Sequence, residues 1–257
     1  MTYGEWVVKS LKKFPIINMK YGRITNEMGE VLDYSYQSGA ENNHYVLIIG
    51  HGLDGNKDTP LILELSNKVS SEGMSVLRFS FSGNGNSQGK YTESTISKGI
   101  IDLQAVITRV CEQGGRPIYL GHGSGATVGT LVGAKDSRIQ LLVSLAGLAE
   151  TKKFCMNIPN PESVDDNSQL SENLKEDLKK IKSVYSLSAS IMIPWLLIHG
   201  SEDKIVPVTD SSSLIPNFEE TRDLVELPNA DHFFSGESVA QVSGIIIDWI
   251  GKRIQPC

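Results

Sequence analysis

The chain has 257 residues, enough for one α/β domain with a large buried core. Its formal net charge is −6 and it contains no basic run, which argues against nucleic acid or an anionic membrane as a partner. Residues 1–17 lack a long apolar segment, so we expect neither a signal peptide nor a transmembrane span. Three scattered cysteines fit no metal-ligand spacing and predict a reducing compartment, the cytoplasm.

The first part of the chain predicts an N-terminal helix and then an antiparallel pair of strands at residues 16–22 and 31–36, with a turn at Gly29. A continuous apolar run at residues 45–49 predicts a strand that is buried on both faces of a sheet. Strands and helices then alternate, at residues 60–71, 75–81, 94–113, 117–120, 125–133 and 140–146. Such alternation is typical of right-handed βαβ units, so we expect a mostly parallel sheet flanked by helices.

Residues 149–191 interrupt this alternation. Prolines and acidic residues come first, followed by a helical stripe of apolar side chains at Leu170, Leu174, Leu178, Ile181 and Tyr185. We interpret the segment as a small lid inserted into a single domain that spans residues 1–257, and a surface excursion without a gating role is the alternative. The core resumes with a strand at 194–200, a helix near 208–215, a strand at 222–227 and a last helix at 237–252.

The central motif of the sequence lies at residues 117–126, where an apolar strand ends in a glycine-rich turn and a helix follows. A strand, a sharp turn and a helix are the setting of a nucleophile elbow, Gly-x-Ser-x-Gly, which presents its serine at the tip. In the frame formed by residues 121–125, the position of the serine is occupied by Gly123.

Other chemically distinctive residues follow predicted strands in the same way. They are the loop at residues 51–55, the acid Asp203 and the histidine His232. In an open parallel sheet, the carboxyl ends of the strands carry the ligand site. The order along the chain is that of a hydrolase in which the nucleophile, the acid and the histidine follow one another.

These motifs resemble the α/β-hydrolase superfamily, and more narrowly the small-lid esterases that include cinnamoyl and feruloyl esterases and enzymes similar to monoacylglycerol lipase. The matching segments are residues 51–55, 81–87, 121–125, 199–207 and 230–234, so the resemblance covers nearly the whole chain. It implies an α/β-hydrolase fold with an eight-stranded, mostly parallel sheet, and neither a cofactor nor a metal.

The resemblance also implies roles for individual residues. Asp203 would be the triad acid, which orients His232 and stabilises its imidazolium, and His232 would be the general base and then the acid. The backbone N–H groups of Leu53 and Ser124 would form the oxyanion hole. Gly123 would stand where the nucleophilic serine is expected. The activity implied is hydrolysis of a carboxylic ester, and the charged lid favours small acyl or aryl esters over long lipids.

Gly123 removes the attacking oxygen, and three explanations compete. The first is deliberate replacement of a natural serine, which the retained acid and histidine favour. The second is a natural protein without a nucleophile, which binds a ligand or uses the His232–Asp203 pair for non-covalent proton transfer. The third is attack by Ser124, but the shifted frame puts His122 and Ala126 where an elbow requires small glycines.

A dinucleotide-binding protein is the alternative from another class. Residues 50–55 match Gly-x-Gly-x-x-Gly, and residues 121–126 match the variant that ends in alanine. Such a site also requires an acidic residue at the end of the next strand, which would bind the ribose. The next strands end at residues 79–82 and 144–147, which contain no carboxylate. We therefore favour a small-molecule ester as the partner.

Overall fold

The computed structural model describes residues 20–40, 43–157, 170–216 and 220–254. The expected N-terminal helix and most of the strand expected at residues 16–22 lie outside these ranges. The antiparallel pair consists of Ile24–Thr25 (β1) and Val31–Leu32 (β2), so the position expected for the first strand was wrong. The side chain of Asn26 sets this register, because its Oδ1 accepts hydrogen bonds from the N–H groups of Met28 and Glu30 at 3.0 and 2.9 Å.

A mostly parallel sheet lies at the centre of the described chain. In the part of the chain that the structure describes it has seven strands, Tyr34–Gln37 (β3), Tyr45–Gly50 (β4), Ser75–Phe79 (β5), Arg116–His122 (β6), Leu141–Leu145 (β7), Trp195–Gly200 (β8) and Arg222–Leu227 (β9). Their spatial order is β3-β5-β4-β6-β7-β8-β9, and only the β3–β5 pair is antiparallel. The resemblance had implied eight strands.

Helices connect the strands and cover both faces of the sheet. Those in the described ranges are Pro60–Ser71 (α1), Ile96–Glu112 (α2), Ser124–Gly133 (α3), Thr151–Asn157 (α4), Glu172–Ile181 (α5), Tyr185–Ser188 (α6), Thr209–Ser212 (α7) and Ser238–Gly251 (α8). A 3₁₀ helix spans Tyr91–Glu93. None of the helices in these ranges combines the length and the apolar character needed to cross a bilayer.

Alternate residues of each central strand enter two separate hydrophobic cores, because successive side chains of a strand point to opposite faces. Ile48 of β4 packs in the core that includes apolar side chains of α2 and α3. Its neighbours Leu47 and Ile49 pack in the core formed with α1 and α8. The apolar run of β4 is therefore buried on both sides. Because the central strands are parallel, their carboxyl ends lie at the same edge of the sheet.

The segment between β7 and β8 is helical in its described parts, α4, α5 and α6. Ser171 caps α5, since its Oγ accepts a hydrogen bond from the Leu174 N–H at 3.2 Å. The helix ends at Ile181 because Lys182 adopts a φ of +66°. The single stripe expected from the sequence is thus divided, with Tyr185 on the separate helix α6. A gating role for this segment remains a prediction.

Candidate active site

The sharp turn between β6 and α3 has the geometry of a nucleophile elbow. Gly123 stands at its tip with a φ of +51° and a ψ of −116°, and its N–H donates to the oxygen of Leu145 at 2.9 Å. A serine is strained at such a φ, whereas glycine adopts it freely. Ser124 is the first residue of α3. Attack by Ser124 would require Ser124 at the tip of the turn, but the tip is Gly123 and Ser124 already belongs to the helix.

Two further glycines let the strand, the turn and the helix lie in direct contact. A Cβ atom on Gly121 would lie 2.4 Å from the carbonyl carbon of Gly125. A Cβ atom on Gly125 would lie 2.5 Å from the backbone oxygen of His51. Both distances are far inside van der Waals contact, so glycine is required at both positions.

The loops after β8 and β9 bring an acid and an imidazole together beside the elbow. Asp203 follows β8 by three residues, and His232 lies in the loop between β9 and α8. The Nδ1–H of His232 donates to Oδ2 of Asp203 at 2.7 Å. This bond leaves Nε2 as the unprotonated nitrogen of the neutral ring, which is the state that a general base needs.

The carboxylate of Asp203 is fully buried and held at both oxygens. Its Oδ1 accepts the N–H groups of Ile205 and Val206, each at 2.8 Å. Its Oδ2 also lies 3.2 Å from Nε2 of a second imidazole, His199. Burial raises the pKa of this carboxyl, but hydrogen bonds from the two imidazoles and a backbone N–H outweigh burial and hold the pKa well below its ordinary range.

His199 was assigned no role by the sequence analysis, although it belongs to one of the matching segments. It is the fifth residue of β8, and a histidine at the end of a buried strand, four residues before the acid, is the signal that could have indicated it. Its side chain has no solvent exposure. The structure thus brings two histidines to a single carboxylate.

The unprotonated nitrogen of His232 faces the elbow tip. A Cβ atom built on Gly123 would lie 3.3 Å from Nε2 of His232 and 3.7 Å from the Cα of Gly52. A hydroxyl one bond beyond that Cβ comes within hydrogen-bonding reach of Nε2. The geometry therefore preserves the place of a serine side chain at position 123.

Two backbone donors converge on the same space. The N–H groups of Leu53 and Ser124 have no hydrogen-bond acceptor among the described residues. Both residues line one cavity together with Gly123 and His232. The N–H of Ser124 also belongs to the first turn of α3, where the helix dipole favours negative charge. Both N–H groups are therefore free to donate hydrogen bonds to an anionic oxygen in this cavity.

Buried histidines fix the loops that carry these groups. His51 donates from Nδ1 to the oxygen of Gly52 at 2.7 Å and accepts the Phe81 N–H at Nε2 at 3.0 Å. His122 donates from Nε2 to the backbone oxygen of His232 at 2.9 Å. Burial lowers the pKa of His51 to about 4, and burial, aided by the nearby His232, lowers the pKa of His122 to about 4. Both rings are therefore neutral structural links.

The cavity beside the elbow has a volume of about 230 Å³. Apolar side chains form most of the rest of its wall, namely Leu148, Phe154, Leu170, Ile205, Val206 and Phe233. Phe154 and Leu170 belong to the inserted segment, so that segment supplies part of the wall. Within the described residues, no group of three or more His, Cys, Asp or Glu side chains could hold a metal ion.

Comparison of the sequence with protein-family models and with curated proteins gives no match. Solved structures are similar across almost the full chain. The ferulic acid complex of Est1E from Butyrivibrio proteoclasticus is 21% identical, covers 90% of this chain and 98% of its own, and has a TM-score of 0.80. Mouse alpha/beta hydrolase domain-containing protein 10 is 18% identical, with coverages of 90% and 98% and a TM-score of 0.71.

A third structure is XC6422 from Xanthomonas campestris, described as an a/b serine hydrolase without lid. It is 20% identical, covers 91% of this chain and 94% of its own, and has a TM-score of 0.66. At these identities the similarity shows the fold and not the substrate. The strand order, the elbow and these structural neighbours together show that the chain has the α/β-hydrolase fold.

Proposed function

We propose that this chain is a carboxylic ester hydrolase of the serine-hydrolase type in which Gly123 has replaced the nucleophilic serine. The observation that carries the proposal is the 3.3 Å between Nε2 of His232 and a Cβ atom on residue 123. That nitrogen belongs to an imidazole that is already oriented by Asp203. Base, acid and oxyanion donors surround the position of the missing hydroxyl.

With a serine at position 123, the reaction follows from this geometry. Nε2 of His232 takes the hydroxyl proton while the oxygen attacks the ester carbonyl, and the N–H groups of Leu53 and Ser124 bind the resulting oxyanion. The intermediate collapses when the imidazolium gives its proton to the departing alkoxide. Water then attacks the acyl-enzyme through the same two proton transfers, which releases the acid and restores the serine.

With glycine at position 123, the chain lacks the side-chain oxygen that forms the acyl-enzyme. In a serine protease, loss of the nucleophilic serine lowers kcat by about a millionfold. We therefore propose that this form is inactive in acyl transfer. Since the acid, the base and the oxyanion donors are all retained, we favour a recent or deliberate replacement of serine. The coding sequence of the source at this position distinguishes a natural glycine from an engineered one.

The cavity supports a small substrate. The elbow cavity, of about 230 Å³ with a mostly apolar wall, has room for a short acyl chain or one aromatic ring, and it shares Leu53, His122 and Phe233 with a second pocket of about 750 Å³. The bound ligand of Est1E, ferulic acid, is an aryl carboxylic acid, which supports the same size class here. We further propose that residues 149–191 form the lid of a single domain, because Phe154 and Leu170 line this cavity. We place the protein in the cytoplasm, with a small-molecule ester as its partner.

A second candidate is a natural homologue without a nucleophile. The observation that favours it is that residue 123 is a glycine, so no side chain stands at the elbow tip beside Nε2 of His232. In this candidate the cavity binds a ligand, or His232 takes a proton from a water that attacks the ester directly. Restoring Ser at position 123 tests the main proposal, because a large gain in ester hydrolysis is expected only where a serine site has been silenced.

A further inference from the structure

One carboxylate oxygen in the site has two imidazole partners. Oδ2 of Asp203 lies 2.7 Å from Nδ1 of His232 and 3.2 Å from Nε2 of His199. The proposed proton transfers use only the first of these contacts. The contact with His199 has no part in these transfers, so it requires an explanation of its own.

The hydrogen-bond partners of His199 determine which nitrogen carries its proton. Nε2 faces two acceptors, Oδ2 of Asp203 and the backbone oxygen of Val206 at 2.9 Å, so a hydrogen must be on Nε2. Nδ1 lies 2.8 Å from the hydroxyl of Ser211 on α7. The Nε2–H of His199 therefore donates to Val206 and lies at the same time against Oδ2 of the acid.

Ser211, His199 and Asp203 reproduce the order of a hydrolytic triad, but they are not a second one. Ser211 is fully buried and lines neither the elbow cavity nor the pocket that Asp203 borders. A nucleophile without access to substrate has no function. The contacts that lead from Ser211 through His199 and Asp203 to His232 can therefore act only by positioning these side chains and by stabilising the charge of Asp203.

We propose that His199 is a positioning residue, whose Nε2–H donates to the backbone oxygen of Val206 and is shared with Oδ2 of Asp203, and which thereby keeps this buried carboxylate ionised and aimed at His232. The proposal rests on the assignment of Asp203 as the acid. The charged groups around the carboxylate are sparse: Glu150, Lys153, Lys204 and Asp210 share an adjacent pocket of about 260 Å³ with it. They include two acids and two lysines, so they supply no clear excess of positive charge.

The direction of the pKa shift agrees with this role. Burial raises the pKa of Asp203, and the hydrogen bond from His199 is the largest of the contributions that lower it. The two backbone donors hold only Oδ1. Without His199, Oδ2 has a single partner, and the carboxylate loses one of its charge-assisted hydrogen bonds.

Two variants separate the donor role from simple packing. His199→Gln keeps an N–H donor but not the ring, and His199→Phe keeps a ring but no donor. The readout is the Nδ1–H proton of His232, observed by NMR in the full chain as it stands, at neutral pH. We expect His199→Phe to speed its solvent exchange about tenfold or more, the factor for a lost hydrogen bond to a charged group. We expect His199→Gln to stay close to the parent.

Comparable exchange in the parent and in folded His199→Phe would overturn the proposal, and so would a larger effect of His199→Gln. If His199→Phe does not fold, His199→Leu, which also lacks a donor, decides: faster exchange supports the proposal, and unchanged exchange refutes it. Methyl spectra and thermal midpoints report folding. Because the exchange measurement does not involve catalysis, its outcome is independent of whether the serine form hydrolyses esters. In the Gly123→Ser background, His199→Phe should lower kcat with little change in KM.

Discussion

Gly123 faces Nε2 of His232 across a distance that a serine side chain would fill. A Cβ atom on residue 123 would lie 3.3 Å from that nitrogen. The next two nearest atoms would be the Cα of Gly52 and Cε1 of His232, each at 3.7 Å. The base is thus aimed at a backbone position that has no side chain. Under the proposed function, the site lacks only the serine side chain, because the imidazole keeps its position beside residue 123.

Gly123→Ser should switch on hydrolysis of small aryl esters such as p-nitrophenyl acetate. Since the loss of a nucleophilic serine costs about a millionfold in kcat in a serine protease, we expect a gain of at least about 10⁴-fold over the parent chain. The φ of +51° will strain the new serine, so stability should fall slightly while activity appears. Initial rates across a panel of acyl and aryl esters measure the effect.

Gly123→Ala is the matched control, because it adds the Cβ atom and the strain without the hydroxyl. It should remain inactive. Adding His232→Ala to the serine variant should abolish the new activity, since the base is then missing. If the serine variant folds and hydrolyses none of the panel, the proposal of a silenced ester hydrolase is wrong.

Local sequence signals were sufficient for the centre of this fold. The apolar run of β4 and the glycine spacing at residues 121–125 report burial and close backbone contact directly, and both features are present in the structure. The order of the loops then placed Asp203 and His232 at one edge, because parallel strands share their carboxyl ends. These inferences need only short windows of sequence and the topology of a parallel sheet.

Features that depend on distant partners could not be predicted in this way. The first antiparallel pair was misplaced because the side chain of Asn26 sets the turn. Helix α5 ends at Ile181, before Lys182, a non-glycine residue with a positive φ that carries no sequence signal. The role of His199 depends on Ser211, which reaches it only after the chain has folded.

The protein with glycine at position 123 should bind small aryl carboxylates without hydrolysing the corresponding esters. Glycine at position 123 removes no binding group, and the N–H donors of Leu53 and Ser124 remain available to a carboxylate. A thermal-shift screen with benzoate- and cinnamate-type acids measures binding. The absence of any shift across the screen would contradict an intact ligand site.

Turnover by the same chain separates the two candidate functions. Under the main proposal, ester hydrolysis stays at the background rate and mass spectrometry detects no acyl-enzyme. Hydrolysis above background that is lost in His232→Ala, again without an acyl-enzyme, would instead establish direct attack by water. His44→Gln, at an exposed histidine that precedes the amino end of β4, the end opposite to the loop at residues 51–55, is the control for the loss of an imidazole.

The stability of the protein should fall as the pH drops from 6.5 towards 4. Burial lowers the pKa of both His51 and His122 from 6.5 to about 4, so the folded state prefers the neutral rings. Between these values the unfolded chain binds protons that the folded chain does not. The stabilisation is therefore complete above pH 6.5 and is lost on acidification, by roughly 3 kcal/mol for each ring.

Urea denaturation at pH 7, 5.5 and 4 measures this slope. His51→Gln and His122→Gln should each be less stable at pH 7, because a buried hydrogen-bonded ring is lost, and should each show a shallower fall towards pH 4. His44→Gln should keep the slope of the parent. If the parent has the same free energy of unfolding at pH 7 and pH 4, the two rings are not buried in the neutral form.

The close contact between α3 and the sheet should make Gly129 and Gly133 respond differently to alanine. A Cβ atom on Gly129 would lie 2.4 Å from Cε1 of Tyr119. That ring is fully buried, and its hydroxyl donates to the Gly125 oxygen at 2.9 Å, so it has no room to move aside. On Gly133, the nearest atom to a Cβ is Cδ2 of Leu142 at 3.6 Å, an ordinary contact.

Gly129→Ala should therefore lower the free energy of unfolding by about 2 kcal/mol, within the range for overpacking a core. Gly133→Ala should leave it unchanged or raise it by up to about 1 kcal/mol, because alanine is the better helix former. Urea denaturation of both variants at pH 7 provides the comparison. Equal effects would mean that helix propensity dominates and that α3 can move away from Tyr119. Since α3 carries the Ser124 donor, Gly129→Ala should also weaken aryl carboxylate binding, whereas Gly133→Ala should not.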